Sequence, residues 1–345
     1  MTRARKDLVD PKVTRFYHCI SSCVRQAMLC GEGKEYRKDW IESQLEKLTG
    51  AFAIDVCGYA IMDNHLHTMV RLEPEVADDW DAEEVIRRWL IAYPPSESVL
   101  KKPAAMKAHI SKLAEDKELV EKYRKRLKDL GWFMKALKEP LARLANKEDD
   151  CRGAFWAARF KSIGLLDPVA ILMACVYIDL NPLAAGIATT PETSKHTSIR
   201  QRVKHIMSQE GGKEKLEAAR TPSALAYGSL SDQERNHWLC PVEDRRAFGA
   251  ARAGMLEGFT LASYLTIADI SSRVLRPGKA TVPQDAPDIF ERLGISEEVW
   301  NQSIQRLFER NCMRGHYFST DRAKLRELAE RQGKNRLINL DGCPT

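Results

Sequence analysis

The chain has 345 residues with a formal net charge of +6 at pH 7, and 44% of its residues are hydrophobic. This composition predicts a globular protein with a well-buried core. No run approaches the roughly 18 apolar residues of a membrane span, and the basic start of the chain precedes no apolar segment of a signal peptide. We therefore expect a cytoplasmic protein that neither spans a membrane nor is secreted.

Positive charge is concentrated in one part of the chain. Residues 101–161 contain 17 Lys or Arg and 9 Asp or Glu, a net charge of +8, so the remaining residues sum to −2. Such a segment suits a polyphosphate partner, because neutralising phosphates releases condensed counterions. A solvated helical face explains the same pattern equally well.

The nine cysteines are an odd number and form no C-x-x-C pair. They are typical of reduced thiols in a cytosolic protein. Cys19, Cys23 and Cys30 lack a fourth ligand at a suitable spacing, which argues against a zinc site.

The N-terminal part predicts the element order β-α-β-β. Aromatic and β-branched residues predict a strand over 16–24, and apolar residues at helical spacing predict a helix over 39–52. Two further strands, over 53–62 and 65–72, are joined by the turn Asp63-Asn64 and form a hairpin.

A charged helical insertion follows at about residues 79–150, with segments at 80–92, 103–113, 117–130 and 133–145. Residues 156–166 then supply the last strand, and Pro168 is placed to open a helix over 169–185. The elements together predict an α+β, ferredoxin-like antiparallel sheet with helices on one face.

The pattern of residues in the sequence changes beyond residue 190. We expect a catalytic domain over 12–205 and an accessory C-terminal region over 206–345, mainly helical and of unknown fold. Its predicted helices cover 254–270, 297–308 and 321–332, with a basic turn at 275–279.

Two histidines stand out at the start of the second hairpin strand. Side chains alternate along a strand, so His65 and His67 project to the same side, about 6 to 7 Å apart along the backbone, while Leu66 points into the core. Two neutral imidazoles arranged in this way can hold one metal ion. Exposed or core-satisfied histidines explain the pair alone equally well.

A second group lies in the helix after Pro168. Tyr177 and Asn181 are four residues apart and share one helix face. Alone, a core tyrosine and a helix-stopping asparagine before Pro182 explain them. With the histidines, they offer an oxygen ligand and a nucleophile to a divalent ion that keeps open positions for phosphate oxygens.

Three stretches carry a family resemblance: His65-Leu66-His67, the segment WAARFKS at 156–162, and the segment YIDLNPLAAG at 177–186. Together they resemble the HUH single-tyrosine transposases, and within them the branch associated with repetitive extragenic palindromic (REP) elements. The resemblance covers roughly residues 12–205. It departs from the family at 183–185, where the family often has a basic residue.

The resemblance implies an HUH/RRM-like sheet and a metal-dependent enzyme that cleaves and rejoins single-stranded DNA at hairpin-forming palindromes. It implies a metal held by His65 and His67, with Asn181 as third ligand, and Tyr177 as the nucleophile that forms a 5′-phosphotyrosine. Mg²⁺ or Mn²⁺ suits such a mixed imidazole and oxygen site. Asp179 points about 200° around the helix from Tyr177, so we expect it to face solvent.

The DNA contacts predicted near this site are Arg15, Trp156, Arg159 and Lys161. One alternative is a non-catalytic DNA-hairpin-binding protein or regulator derived from such an enzyme. Another, a histidine-triad phosphohydrolase, is disfavoured because position 69 is Met rather than a third alternating histidine. The sequence is compatible with a monomer or a homodimer.

Overall fold

The computed structural model describes residues 8–219, 230–275, 296–310 and 316–332. A five-stranded sheet has the strand order β2-β3-β1-β4-β7, and its pairs are antiparallel except for the parallel pair β4 and β7. Strands β5 and β6 pair separately. The strands are β1 Phe16–Ser22, β2 Ile54–Ile61, β3 His65–Leu72, β4 Lys161–Leu165, β5 Glu243–Asp244, β6 Leu256–Glu257 and β7 Tyr317–Phe318.

Helices make up most of the rest of the described chain. They are α1 Tyr36–Thr49, α2 Pro74–Asp78, α3 Ala82–Ala92, α4 Glu97–Leu100, α5 Pro103–Ala114, α6 Lys117–Leu127, α7 Leu130–Glu148, α8 Pro168–Asp179, α9 Asn181–Ala184, α10 Ser198–Met207, α11 Gly212–Ala218, α12 Leu261–Leu275, α13 Glu297–Arg310 and α14 Arg322–Gln332. None of these helices has the length and apolar character needed to span a membrane.

Helices cover both faces of the sheet. One core joins β1, β2 and β3 to α1, α3 and α7, and a second core joins β2, β3 and β4 to α8, α10 and α12. The prediction of helices on one face is therefore wrong. The physical reason lies in β3, where both alternating sets are buried: Leu66 and Val70 enter the first core and Met69 enters the second.

The insertion begins earlier than predicted, at Pro74, and its last helix ends at Glu148. This last helix, α7, packs beside α1. A fully buried arginine, Arg37 of α1, fixes the end of α7: its guanidinium bonds to Glu148 at 3.0 Å and to Asp149. This paired, buried guanidinium ties the end of the insertion to α1.

The C-terminal region contributes the strand β7 to the sheet. Tyr317 of β7 pairs with Gly164 of β4, and its ring occupies the space where a side chain at 164 would lie. Asp167 caps α8, accepting from Ala170 N at 2.8 Å, and also accepts from Thr320 N at 2.9 Å. The basic turn predicted at 275–279 lies outside the described residues beyond Leu275.

Candidate functional site

The two sequence-predicted histidines lie on the face of the sheet that α8 covers. Strand register pairs His65 with Ser22, His67 with Ile20, and Met69 with His18. Directly opposed residues of an antiparallel pair project to the same side, so His18, His65 and His67 share one face. The rings of His65 and His67 are 4.8 Å apart between centroids.

The structure adds a third histidine that the sequence-based prediction missed. His18 Nε2 lies 2.9 Å from His67 Nδ1, and both side chains are buried. Burial lowers the pKa of His18 to about 3 and that of His67 well below its ordinary value, and neighbouring histidines add to both shifts. The imidazoles are therefore neutral, the form in which histidine binds a metal ion.

Hydrogen bonds orient the two rings of the predicted pair. His65 Nδ1 lies 2.6 Å from Asn64 Oδ1, an acceptor, so Nδ1 carries the proton and the lone pair lies on Nε2. When His67 Nδ1 donates to His18 Nε2, the lone pair of His67 also lies on Nε2. Metal-binding histidines use this arrangement, in which the second ring nitrogen is held by a neighbour.

Tyr177 lies against the same group of histidines. Its ring centroid is 5.7 Å from that of His67 and 6.1 Å from that of His18, both edge-on. The side chain is only 7% exposed. Part of its cover is Phe308 of α13, whose ring centroid lies 4.8 Å away. The fold thus brings together the histidines and the tyrosine that the sequence singled out, under a C-terminal helix.

The hydrogen bond that holds the Asn181 side chain is made to Tyr177 and not to the histidines. Its side-chain Nδ2 donates to the Tyr177 carbonyl at 2.8 Å. Among the described residues, no three His, Cys, Asp or Glu side chains are grouped to hold a metal ion. The proposed set of two imidazoles and one amide oxygen contains only two residues of those types, and its chemistry suits a divalent ion that keeps open positions.

Asp179 is not exposed to solvent, contrary to the prediction. Its carboxylate is fully buried and accepts from Ser198 Oγ at 2.6 Å, from Ile199 N at 3.0 Å and from the Tyr264 hydroxyl. Ser198 Oγ in turn accepts from Tyr59 N of β2. Burial raises the pKa of Asp179, although the hydrogen bonds oppose this. The angular position of Asp179 on the helix could not predict this burial, because α10 and α12 cover the side of α8 that Asp179 faces.

We expect Asp179→Ala to lower the free energy of unfolding by about 3 to 5 kcal/mol, because Ser198 and Tyr264 lose their buried acceptor. Asp179→Asn should cost less, since the amide keeps one acceptor. Urea denaturation measures both. The matched control is Asp269→Ala on α12, whose carboxylate pairs with Arg273 at the surface and should change stability by less than about 1 kcal/mol. Equal effects at 179 and 269 would contradict the role given to Asp179.

Lys161 lies in the same cross-strand row as His67. Ile20 pairs with His67 on one side and with Lys161 on the other, so all three side chains share the face. Two strand spacings separate the backbones of His67 and Lys161 by about 10 Å. Lys161 is exposed, so its ammonium can reach an anion at the histidines.

Arg15 does not join this group. Its carbonyl accepts from Leu72 N at the far end of β3, about 23 Å along the strand from His65. Its guanidinium pairs with Glu73 at 3.1 Å and Glu75 at 2.9 Å. The prediction that Arg15 lies near the site is wrong because the pairing of β1 with β3 sets it at the opposite sheet end.

Trp156 and Arg159 lie in the segment that leads into β4. Ala157 N donates to Ser22 O at 2.9 Å, so this segment adjoins the end of β1 that pairs with His65. Trp156 Nε1 donates to the Lys138 carbonyl of α7 at 3.0 Å, and its partly buried ring packs against the core on the α1 side of the sheet. Arg159 is exposed. Both residues therefore lie at the histidine end of the sheet, with Trp156 on the opposite face.

The comparisons with known proteins add one likeness. The chain is similar to a solved REP-associated tyrosine transposase bound to a REP hairpin, at 10% sequence identity and a TM-score of 0.36, over 59% of this chain and 86% of that chain. No family model matches the sequence, and no curated protein matches it. A likeness this weak leaves the function to be inferred from the residues themselves.

Proposed function

We propose that this protein is a metal-dependent DNA-strand transesterase that cleaves and rejoins single-stranded DNA through Tyr177. The observation that carries the proposal is the packing of Tyr177 against His67 and His18 on one sheet face, with His65 beside them. The strand order β2-β3-β1-β4 agrees with a ferredoxin-like, HUH-type sheet. Within it, residues 12–205 form the catalytic part and 206–345 the accessory part.

His65, His67 and Asn181 are the proposed ligands of one Mg²⁺ or Mn²⁺ ion. Such an ion, when bound, polarises a non-bridging phosphate oxygen and makes the phosphorus more electrophilic. His18 holds the ring of His67 through the 2.9 Å contact, and Asn64 holds that of His65. These two contacts direct the remaining ring nitrogens of His67 and His65 toward a bound ion.

Tyr177 supplies the nucleophilic oxygen. Its phenolic oxygen forms a bond to phosphorus while the bond from phosphorus to the 3′ oxygen breaks, which yields a 5′-phosphotyrosine. The proton released by the phenol is balanced by the one that the departing 3′-hydroxyl takes up. Because the covalent link conserves the phosphodiester bond energy, attack by another 3′-hydroxyl rejoins strands without ATP.

The substrate we propose is a hairpin-forming DNA with a single-stranded flank. A phosphodiester must approach the histidines and the phenol together, and an unpaired strand allows that more readily than a relaxed duplex. Lys161, on the same face as His67, and the exposed Arg159 supply positive charge for its phosphates. The side chain of Phe308 must move before DNA reaches Tyr177.

One assay tests the proposal. The protein is incubated with Mn²⁺ and a labelled single-stranded hairpin DNA, and the products are separated on a denaturing gel. We expect a covalent protein-DNA adduct together with a fragment that ends in a free 3′-hydroxyl. EDTA should suppress both products. Cleavage that leaves no adduct would show hydrolysis instead and would overturn the proposal.

A second candidate function is a non-catalytic hairpin-binding regulator. The observation that favours it is the cover over Tyr177, which leaves the phenol 7% exposed. The same assay separates the two candidates, because binding on a native gel without any adduct on the denaturing gel supports the regulator.

A further inference from the structure

A cleft of about 520 Å³ lies between α7 and the segment that precedes β4. It is separate from the tyrosine and the histidines, which lie on the other face of the sheet. Aromatic and basic side chains form most of its wall: Trp132, Lys135, Lys138, Trp156, Arg159 and Phe160. Its volume is in the range of sites that take small ligands or single nucleotides.

Cations lie against both tryptophans of the cleft. Lys135 Nζ is 4.7 Å from the Trp132 ring centroid, and Lys138 Nζ is 5.0 Å from that of Trp156. Arg126 adds a guanidinium 4.1 Å from the Trp132 ring. Because these cations lie over the ring faces, a base stacks on Trp132 when the half-exposed Lys135 side chain moves from the ring to a phosphate. An aromatic face and positive charge are the two elements with which proteins bind unpaired nucleotides, through base stacking and phosphate contacts.

Two carboxylates also line the cleft. Asp129 caps α7 by accepting from Trp132 N at 2.8 Å, and Glu139 lies 3.8 Å from Lys135. These acceptors suit the amino and imino donors on the edge of a nucleobase. They oppose an anionic group inside the cleft, carboxylate or phosphate, because like charges at short range repel.

The cleft lies at the same end of the sheet as His65. The Trp156 backbone forms a bridge with Cys23, and the next residue, Ala157, donates to Ser22, the partner of His65 across the strands. An unpaired DNA strand that passes the histidines and turns around this end of the sheet therefore meets the cleft. Residues 101–161, which include the residues that line the cleft, carry a net charge of +8.

We propose that this cleft binds an unpaired nucleobase of single-stranded DNA, stacked on Trp132, with Lys135 and Arg159 on the flanking phosphates. The site rests on the proposed function in that it takes the same strand that Tyr177 cleaves. Base stacking itself needs neither the metal ion nor the tyrosine. The main stacking surface is Trp132, which is not part of the tyrosine site.

The test uses fluorescence anisotropy in EDTA with two labelled probes, a 12-nucleotide thymidine strand and the same strand with abasic residues throughout. We expect Trp132→Ala to weaken binding of the thymidine strand by about 5- to 150-fold, since stacking contributes about 1 to 3 kcal/mol per base. Trp132→Phe should restore most of the affinity. Neither change should alter binding of the abasic strand.

The matched control is Trp80→Ala. Trp80 belongs to the same insertion and lies 4.2 Å from an arginine, Arg88, but does not line the cleft. The Trp80→Ala variant should bind both probes as the unmodified protein does. The proposal is overturned if Trp132→Ala binds the thymidine strand normally, or if it loses affinity equally for both probes.

The two proposals fail in different ways. If the transesterase proposal is wrong but the cleft is a base site, Trp132→Ala still loses the thymidine strand in EDTA while no adduct forms with Mn²⁺. If the cleft proposal is wrong, adducts form in Trp132→Ala at the same DNA concentrations as in the unmodified protein. Loss of affinity for the thymidine strand alone therefore identifies the cleft.

Discussion

Tyr177→Phe is expected to abolish the covalent protein-DNA adduct, a loss on the order of 10³-fold or more, because the variant has no oxygen to attack phosphorus. The ring itself stays, so its contacts with His67 and Phe308 are kept. The free energy of unfolding should therefore change by no more than about 1 kcal/mol. The denaturing-gel assay with Mn²⁺ measures the adduct, and native-gel binding of the same hairpin should remain.

Tyr17→Phe provides a matched control for this loss. Tyr17 is a fully buried tyrosine of β1 on the opposite face of the sheet, where its hydroxyl donates to the Asp10 carbonyl at 3.0 Å. Its replacement removes the same phenolic oxygen from another buried tyrosine without touching the site, so the adduct should form at the normal rate. An adduct that persists in Tyr177→Phe would show that another residue is the nucleophile.

Local patterns in the sequence were sufficient to predict the elements that build the site. Alternation along 65–72 placed His65 and His67 on one side of a strand, which the register confirms. Pro168 indicated the start of the helix that carries Tyr177, and α8 begins there. These predictions succeeded because the period of a strand and the first turn of a helix depend on neighbouring residues alone.

Residues that act across the fold could not be predicted in this way. His18 meets His67 only because β1 pairs with β3 in one register. The two residues are 49 positions apart, and burial of both faces of the strands sets that register. Asp179 is buried by helices α10 and α12, and Phe308 meets Tyr177 from a helix more than a hundred residues later. Periodicity predicts which face of an element is apolar, but it does not identify the element that covers that face.

Removal of both imidazoles by His65→Ala/His67→Ala is the other change with a large expected effect. We expect adduct formation to fall by at least about 100-fold, because the proposed metal ion contributes several kcal/mol to the reaction. Mn²⁺ titration followed by electron paramagnetic resonance should show loss of a bound ion, independently of activity. Native-gel binding of the hairpin, which depends on basic and aromatic side chains elsewhere, should change little.

His18 distinguishes a ligand from a residue that orients one. His18 contacts the His67 ring at 2.9 Å, so His18→Ala should loosen that ring without removing a proposed ligand. We expect Mn²⁺ affinity to fall by about 10- to 100-fold, which is the usual cost of losing such support. High Mn²⁺ should then restore adduct formation in His18→Ala but not in the double variant. Retained metal-dependent cleavage in the double variant would show that the ion is bound by residues other than His65 and His67.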